Sequence, residues 1–308
     1  MKRDLISLQD LTRQEISNLL DLTEELKTHK ELSHDRLKGK TIALVFQKPS
    51  NRTRVSFEVG IAQLGGHCIY LGPEEINLGV RESTADVSKT LSRYLDGIVA
   101  RTHTHQDIID LTRHATIPII NGLSDLCHPC QALTDIFSIK EKFGRLEGLT
   151  VAYVGDGNNV CHSLMLACTK MGVHINVATP PLYEPKQEMI QIAQSYGQES
   201  GAKVLITHSP QEAVQKTNVI YSDTWVSMGQ EEETHNRLIA FNDYQVNAEL
   251  VKLAMSDYIF MHCLPAHRGQ EVTDEIIDGG HSIVFDQAEN RLHTQKAILI
   301  FLLGNTHS

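Results

Sequence analysis

Short apolar runs alternate with amphipathic stretches through most of this 308-residue chain, and the series runs twice. That alternation is the strongest constraint on the fold. A strand followed by a helix and another strand dictates parallel pairing, with helices covering both faces of the sheet. The first series predicts strands at 41–46, 67–71, 97–101 and 116–121, with helices at 8–29, 50–64, 82–95 and 105–114. In the first helix Leu11, Ile16, Leu19, Leu20 and Leu26 share one face. In the second, Val55, Val59, Ala62 and Leu64 are expected to point inward. A further helix follows Cys127–Gln131, with Ala132, Ile136, Ile139 and Phe143 on one stripe and Gly144 as its stop. The series restarts near residue 145, with strands at 149–155, 174–179, 204–208, 219–223, 258–263 and 283–286. The fold class expected is α/β: two doubly wound parallel-sheet domains, 1–144 and 145–290, with the active site in the cleft between them. A last helix at 291–303 packs back on the first.

Composition narrows the function. A net charge of −10 argues against a nucleic-acid binder. The longest apolar run, 297–303, is far too short to span a membrane. The first residues lack a signal-peptide h-region, so the six cysteines are expected as free thiols in the cytoplasm.

Several strand ends carry polar clusters. Between the strand at 41–46 and the next helix lies Lys48-Pro49-Ser50-Asn51-Arg52-Thr53-Arg54. A helix N-terminus with hydroxyls and two guanidiniums suits a bound phosphate; a capped helix with solvated arginines is the plainer alternative. Arg101 ends the third strand, and His128 precedes a helix, where it can donate to an oxyanion or sit as a buried structural histidine. Gly155-Asp156-Gly157-Asn158-Asn159-Val160 resembles a dinucleotide turn, but Val160 stands where the third glycine belongs. The turn can instead present Asn159 to a ligand. Cysteines and histidines at 127, 128, 130, 161 and 162 lack the paired spacing of a zinc site, so no metal is expected. Asp223 and Cys263 each end a strand.

In order and spacing, four of these stretches resemble the aspartate/ornithine carbamoyltransferase family: 48–54, 128–135, 223–229 and 262–265. The resemblance covers about residues 5–303, and the last two stretches resemble its ornithine branch. It implies that Ser50, Asn51, Arg52 and Thr53 hold the phosphate of carbamoyl phosphate. Arg101, His128 and Gln131 would hold and polarise the carbamoyl group, with Pro129 and Cys130 in the same segment and Arg291 in contact. Asn159, Asp223, Ser227 and Met228 would bind ornithine. Cys263 and Leu264 would lie beside the reacting centre, and the Leu264–Pro265 peptide is implied to be cis. Arg52, Arg101, His128, Asp223 and Cys263 are the implied catalytic set. Two positions depart from the family pattern: Asn51 replaces the usual Thr, and Asn77 replaces a Gln that reaches a neighbouring subunit's phosphate site.

The activity implied is carbamoyl transfer to the δ-amine of L-ornithine in arginine synthesis, without cofactor, by a cytoplasmic homotrimer or a multiple of it. The amine poses a problem of its own, since an alkyl ammonium titrates near ~10.4 and only roughly one in a thousand is free at neutral pH. Asp223, Cys263 and the departing phosphate are the candidate proton acceptors. Carbamoyl phosphate is expected to bind first. The competing readings are transfer to another amine such as putrescine or an acylated ornithine, a catalytically silent relative, and an NAD-dependent dehydrogenase.

Overall fold

The structure, a computed structural model, describes residues 2–76, 78, 82–226 and 231–304, with Glu231 described by its backbone alone. Both series form parallel sheets. Four strands, β1 (Thr41–Phe46), β2 (His67–Leu71), β3 (Gly97–Arg101) and β4 (Ile119–Leu123), lie in the order β2-β1-β3-β4. Five more, β5 (Thr150–Val154), β6 (His174–Ala178), β7 (Val204–Thr207), β8 (Val219–Ser222) and β9 (Ile259–His262), lie in the order β7-β6-β5-β8-β9. The chain divides into two compact units, 1–137 with 290–308, and 138–289. The first boundary falls inside helix Pro129–Phe143 and the last inside helix Val284–Leu303.

The core follows from composition. β3 is buried throughout and β1 almost so, which is why both read as continuous apolar runs rather than alternating ones. Asn121 N–H donates to Leu5 O, so the N-terminal segment pairs alongside β4. The stretch at 8–29 breaks in two at Thr12. A short turn at Leu8–Asp10 precedes helix Arg13–Thr28, where Thr12 and Glu15 form a reciprocal capping box. Leu11, Ile16, Leu19, Leu20 and Leu26 are all buried, as their spacing predicted.

Two expectations are corrected. Helix Asn51–Gln63 buries Thr53, Phe57, Gly60 and Ile61, with Leu64 just beyond it, whereas Val55, Val59 and Ala62 are exposed. Both stripes have helical spacing. The one that holds Phe57 also admits the close approach of Lys296 and Leu292 at Gly60, where an added Cβ would lie 3.3 Å from Lys296 Cγ. The strand expected at 283–286 is instead the first turn of helix Val284–Leu303. Phe260 N–H donates to His281 O and Ile283 N–H to Phe260 O. That is a single bridge beside β9, after which the chain coils with Asp286 in the favourable first turn.

The glycines of the 155–160 turn serve backbone packing. Gly155 has φ 148°. A Cβ on Gly157 would lie 2.2 Å from Pro185 N, 2.4 Å from Glu184 C and 2.6 Å from Tyr183 O, and Gly157 N–H donates to that Tyr183 carbonyl at 2.9 Å. A neighbouring backbone segment therefore occupies the space where a dinucleotide turn would need an open approach to pyrophosphate. Gly157→Ala must displace main chain rather than a side-chain tip. It should cost about 1–3 kcal/mol, read as a lower urea midpoint at unchanged slope; an unchanged midpoint contradicts this packing.

Candidate active site

In each sheet the strand order reverses once, between β1 and β3 and between β5 and β8. Ligands of open α/β sheets bind outside the carboxyl ends of the strands at such a reversal. Residues 50–53, Arg101, Asn159 and Asp223 stand at or follow the carboxyl ends of those four strands.

In the first unit Ser50 caps helix Asn51–Gln63, accepting from Thr53 N–H at 3.4 Å, and no acidic residue occupies the first turn. Asn51 opens the helix and is exposed; Arg52 is half-buried and Thr53 buried. Arg54, the second guanidinium of the motif, is engaged elsewhere. Its Nε donates to Glu58 Oε1 at 2.9 Å and its guanidinium stacks 3.6 Å above the Tyr70 ring. A different arginine joins the cluster: Arg291 Nη2 donates to Thr53 Oγ1 at 2.7 Å across 238 residues of sequence.

Arg101 ends β3 beside a register shift between Ala100 and Arg101, and is buried, as are His128, Cys130 and Gln131. Burial, and then the positive charges of Arg291 and Arg101, hold the His128 imidazole well below its ordinary range. His128 is therefore a neutral ring beside two guanidiniums. Burial also pushes the Cys130 thiol up to about 12, and Cys130 Sγ donates to Asn121 O at 3.5 Å. Gln131 Nε2 donates to Asp135 Oδ1 at 2.8 Å, which turns the amide oxygen the other way; that oxygen has no partner among the described residues. Pro129 is the first residue of helix Pro129–Phe143.

In the second unit Asp223 follows β8, Cys263 follows β9, and Asn158 caps helix Asn159–Lys170 after β5. These three strands are adjacent, so the side chains meet. The Asp223 carboxylate, 4% exposed, takes three donors. Asn158 Nδ2 reaches Oδ2 at 2.8 Å, while Thr224 N–H at 2.8 Å and Cys263 Sγ at 2.9 Å reach Oδ1. Asn159, the first residue of its helix, is half-buried. Leu264 adopts a left-handed φ of 58°, an unfavourable conformation for a branched side chain. Its N–H is held by His262 Nδ1 at 2.9 Å, and the Leu264–Pro265 peptide is cis, as the resemblance implied. Asn77, Ser227 and Met228 lie outside the described residues.

Asp223, His262 and Cys263 place one potential metal-ligand atom each within 4.8 Å of one another. Those atoms already have occupations. His262 Nδ1 accepts the Leu264 N–H, His262 Nε2 faces Glu271 Oε1 at 3.3 Å, and the thiol donates to Asp223.

Sequence reasoning passed over four residues here. Asn158 was readable as a helix cap before an apolar run. Glu271, fully buried against His262, carried no local signal. Asp156 and Arg237 form a buried pair at 2.5 Å, and Arg237 Nε donates to Trp225 O just past Asp223. Burial pushes the Asp156 carboxyl up to about 6 against the opposing pull of Arg237.

Comparison with known proteins fits both halves. Residues 3–141 match the aspartate/ornithine carbamoyltransferase carbamoyl-P binding domain, and residues 147–302 match the Asp/Orn binding domain of the same family. An ornithine carbamoyltransferase of Thermococcus kodakarensis is 54% identical over 98% of this chain and 96% of its own. The solved ornithine carbamoyltransferase of Pyrococcus furiosus superposes with a TM-score of 0.95 at 52% identity, covering 98% of this chain and 97% of that one. The anabolic enzyme of Campylobacter jejuni does so at 0.93 and 35%, covering 98% and 99%. With both halves matched in order and nearly full-length relatives this similar, the chain belongs to the aspartate/ornithine carbamoyltransferase family.

Proposed function

We propose that this protein transfers the carbamoyl group of carbamoyl phosphate to the δ-amine of L-ornithine, giving L-citrulline and phosphate in the direction of arginine synthesis. The observation that carries the reading is the ordered match of the two halves to a carbamoyl-phosphate-binding and an Asp/Orn-binding domain.

The first unit supplies the electrophile's site. Ser50, Asn51, Arg52 and Thr53 bind phosphate at the open helix N-terminus, where free N–H groups and the dipole favour an anion. Arg291, already bonded to Thr53, adds a second guanidinium. Attack places negative charge on the carbonyl oxygen. Arg101 and neutral His128 donate to it, and the unpartnered Gln131 oxygen accepts from the carbamoyl amide. Pro129 and Cys130 shape this segment.

The second unit supplies the nucleophile's site. Asp223, Asn159, Ser227 and Met228 hold ornithine. The δ-nitrogen lone pair forms the new C–N bond, and collapse of the tetrahedral intermediate breaks the C–O bond to phosphate. The ammonium loses two protons, one to free the lone pair before attack and one as the tetrahedral intermediate collapses; with the Cys263 thiol donating to Asp223, the Asp223 carboxylate and the departing phosphate are the acceptors. No step requires a metal.

In the cell we place the enzyme in the cytoplasm; no helix among the described residues is long and apolar enough to cross a membrane. A homotrimer, or a multiple of it, is the assembly proposed. Exposed Val55 and Val59, one turn apart, and Ile69 on edge strand β2 offer apolar surface for a second copy, and Asn77 would reach the neighbour's phosphate site.

Purified protein given carbamoyl phosphate, EDTA and ornithine, acetylornithine, putrescine or aspartate should form product with ornithine alone. Product from another amine overturns the acceptor assignment. Arg52→Ala should lower kcat by roughly 10²–10³ with the fold intact; turnover within a fewfold of wild type contradicts the phosphate site.

His128 has a stability consequence. Its folded pKa lies below the unfolded value near ~6.5. As pH falls through that value the unfolded chain takes up a proton that the native state refuses, so stability drops by up to about 1.4 kcal/mol per pH unit. His128→Gln should flatten that part of the stability profile below about pH 6.5; identical slopes in both proteins contradict a neutral buried His128.

A further inference from the structure

We propose that Asn158 is a positioning residue for the transfer reaction, holding the Asp223 carboxylate in the orientation that receives the amino-acid substrate. The inference rests on the carbamoyltransferase reading above.

The geometry gives Asn158 two separate tasks. Its Oδ1 accepts from Val160 N–H at 2.9 Å and Cys161 N–H at 3.2 Å, which closes the first turn of helix Asn159–Lys170. Those two donors fix which end of the amide is oxygen. Nδ2 is thereby turned to Asp223 Oδ2, to which it donates at 2.8 Å across 65 residues of sequence. The other Asp223 oxygen takes Thr224 N–H and Cys263 Sγ. Asn158 is the only described residue that donates to Oδ2.

The placement follows from topology. Asn158 follows β5 and Asp223 follows β8, the two adjacent strands that flank the reversal of strand order. Helix capping on one side of the reversal is thus coupled to carboxylate orientation on the other. Beneath the pair, Tyr153 is fully buried and its hydroxyl donates to Asp156 O at 2.9 Å, with Asn158 Oδ1 3.4 Å away. The Tyr153 hydroxyl thus also comes within hydrogen-bond reach of the amide oxygen. Carboxylate rotation about χ2 is soft, so Asp223 needs a donor on each oxygen to present one lone-pair direction to an incoming ammonium. Asn158 supplies the second.

Asn, Ser and Asp serve almost equally as helix N-caps. They differ in what they offer Asp223: an amide donor, a short hydroxyl, or a second carboxylate. A pure capping role predicts similar kinetics for all three. A positioning role predicts the order wild type, then Asn158→Ser, then Asn158→Asp in kcat/KM for ornithine. We expect Asn158→Ser to lose roughly 10- to 100-fold, the loss of one hydrogen bond to a charged group. Asn158→Asp should lose more, through like-charge repulsion. KM for carbamoyl phosphate should stay within about twofold, because the interaction lies in the ornithine half. Melting temperature of Asn158→Ser should hold within about 3 °C, because the cap survives, whereas the repulsion in Asn158→Asp lowers it as well.

Steady-state kinetics with each substrate varied in turn, together with thermal melts, make the test. Equal kcat/KM for ornithine in all three proteins overturns the proposal and leaves Asn158 as a cap. An Asn158→Ser loss that tracks melting temperature, or losses that fall equally on carbamoyl phosphate, overturn it as well. Wild-type protein that forms no citrulline sinks the functional reading first, and this inference with it.

Discussion

A parallel sheet whose strand order reverses must leave the carboxyl ends of two adjacent strands uncovered, because their connecting segments leave in opposite directions. The chain does this twice, at β1/β3 and at β5/β8. The phosphate-site motif and the carboxylate of the second unit both descend from that constraint. Ser50 to Thr53 and Arg101 stand at the first reversal; Asn158, Asn159 and Asp223 stand at the second, with Cys263 one strand further on. The helices and apolar strand interiors hold those ends in register.

Charge is distributed differently at the two reversals. The first has Arg52 in the opening turn of a helix that carries no acidic residue there, with Arg291 bonded to Thr53 of the same turn. The Arg101 and Arg291 charges lower the His128 pKa in addition to its burial. Such a field is suited to a phosphate and a developing oxyanion even in a chain of net charge −10. The second reversal gathers neutral donors, an amide, a backbone N–H and a thiol, around one carboxylate. That leaves Asp223 its negative charge for an ammonium. One end is arranged for an anion and the other for a cation, as a transfer from an acyl phosphate to an amine requires.

Most of the architecture was legible in the sequence because it rests on periodicity. Helix His105–His114 and the buried face of Arg13–Thr28 follow directly from apolar spacing. The failures have physical causes. Two helical stripes competed in Asn51–Gln63, and side-chain spacing alone cannot say which one meets a neighbour as close as Lys296 at Gly60. Ile283-Val284-Phe285 has the composition of a strand, and only the single bridge to Phe260 shows why it pairs once and then coils. At the site, a motif tells which residue types are present but not which way they turn. Arg54 belongs to the phosphate-like motif yet stacks on Tyr70, while Arg291, which only the resemblance singled out, reaches Thr53. Asn158 and Asn159 are adjacent and identical in type; only the helix start decides that the first one caps and reaches Asp223.

Carbamoyl transfer from carbamoyl phosphate to ornithine by this protein's own side chains can be followed atom by atom. The most direct measurement follows carbonyl-¹³C-labelled carbamoyl phosphate by NMR with purified protein, ornithine and EDTA. The label should appear in citrulline, with one phosphate released for each citrulline formed. Phosphate release without labelled citrulline, or turnover that vanishes with EDTA and returns with added metal, would contradict it.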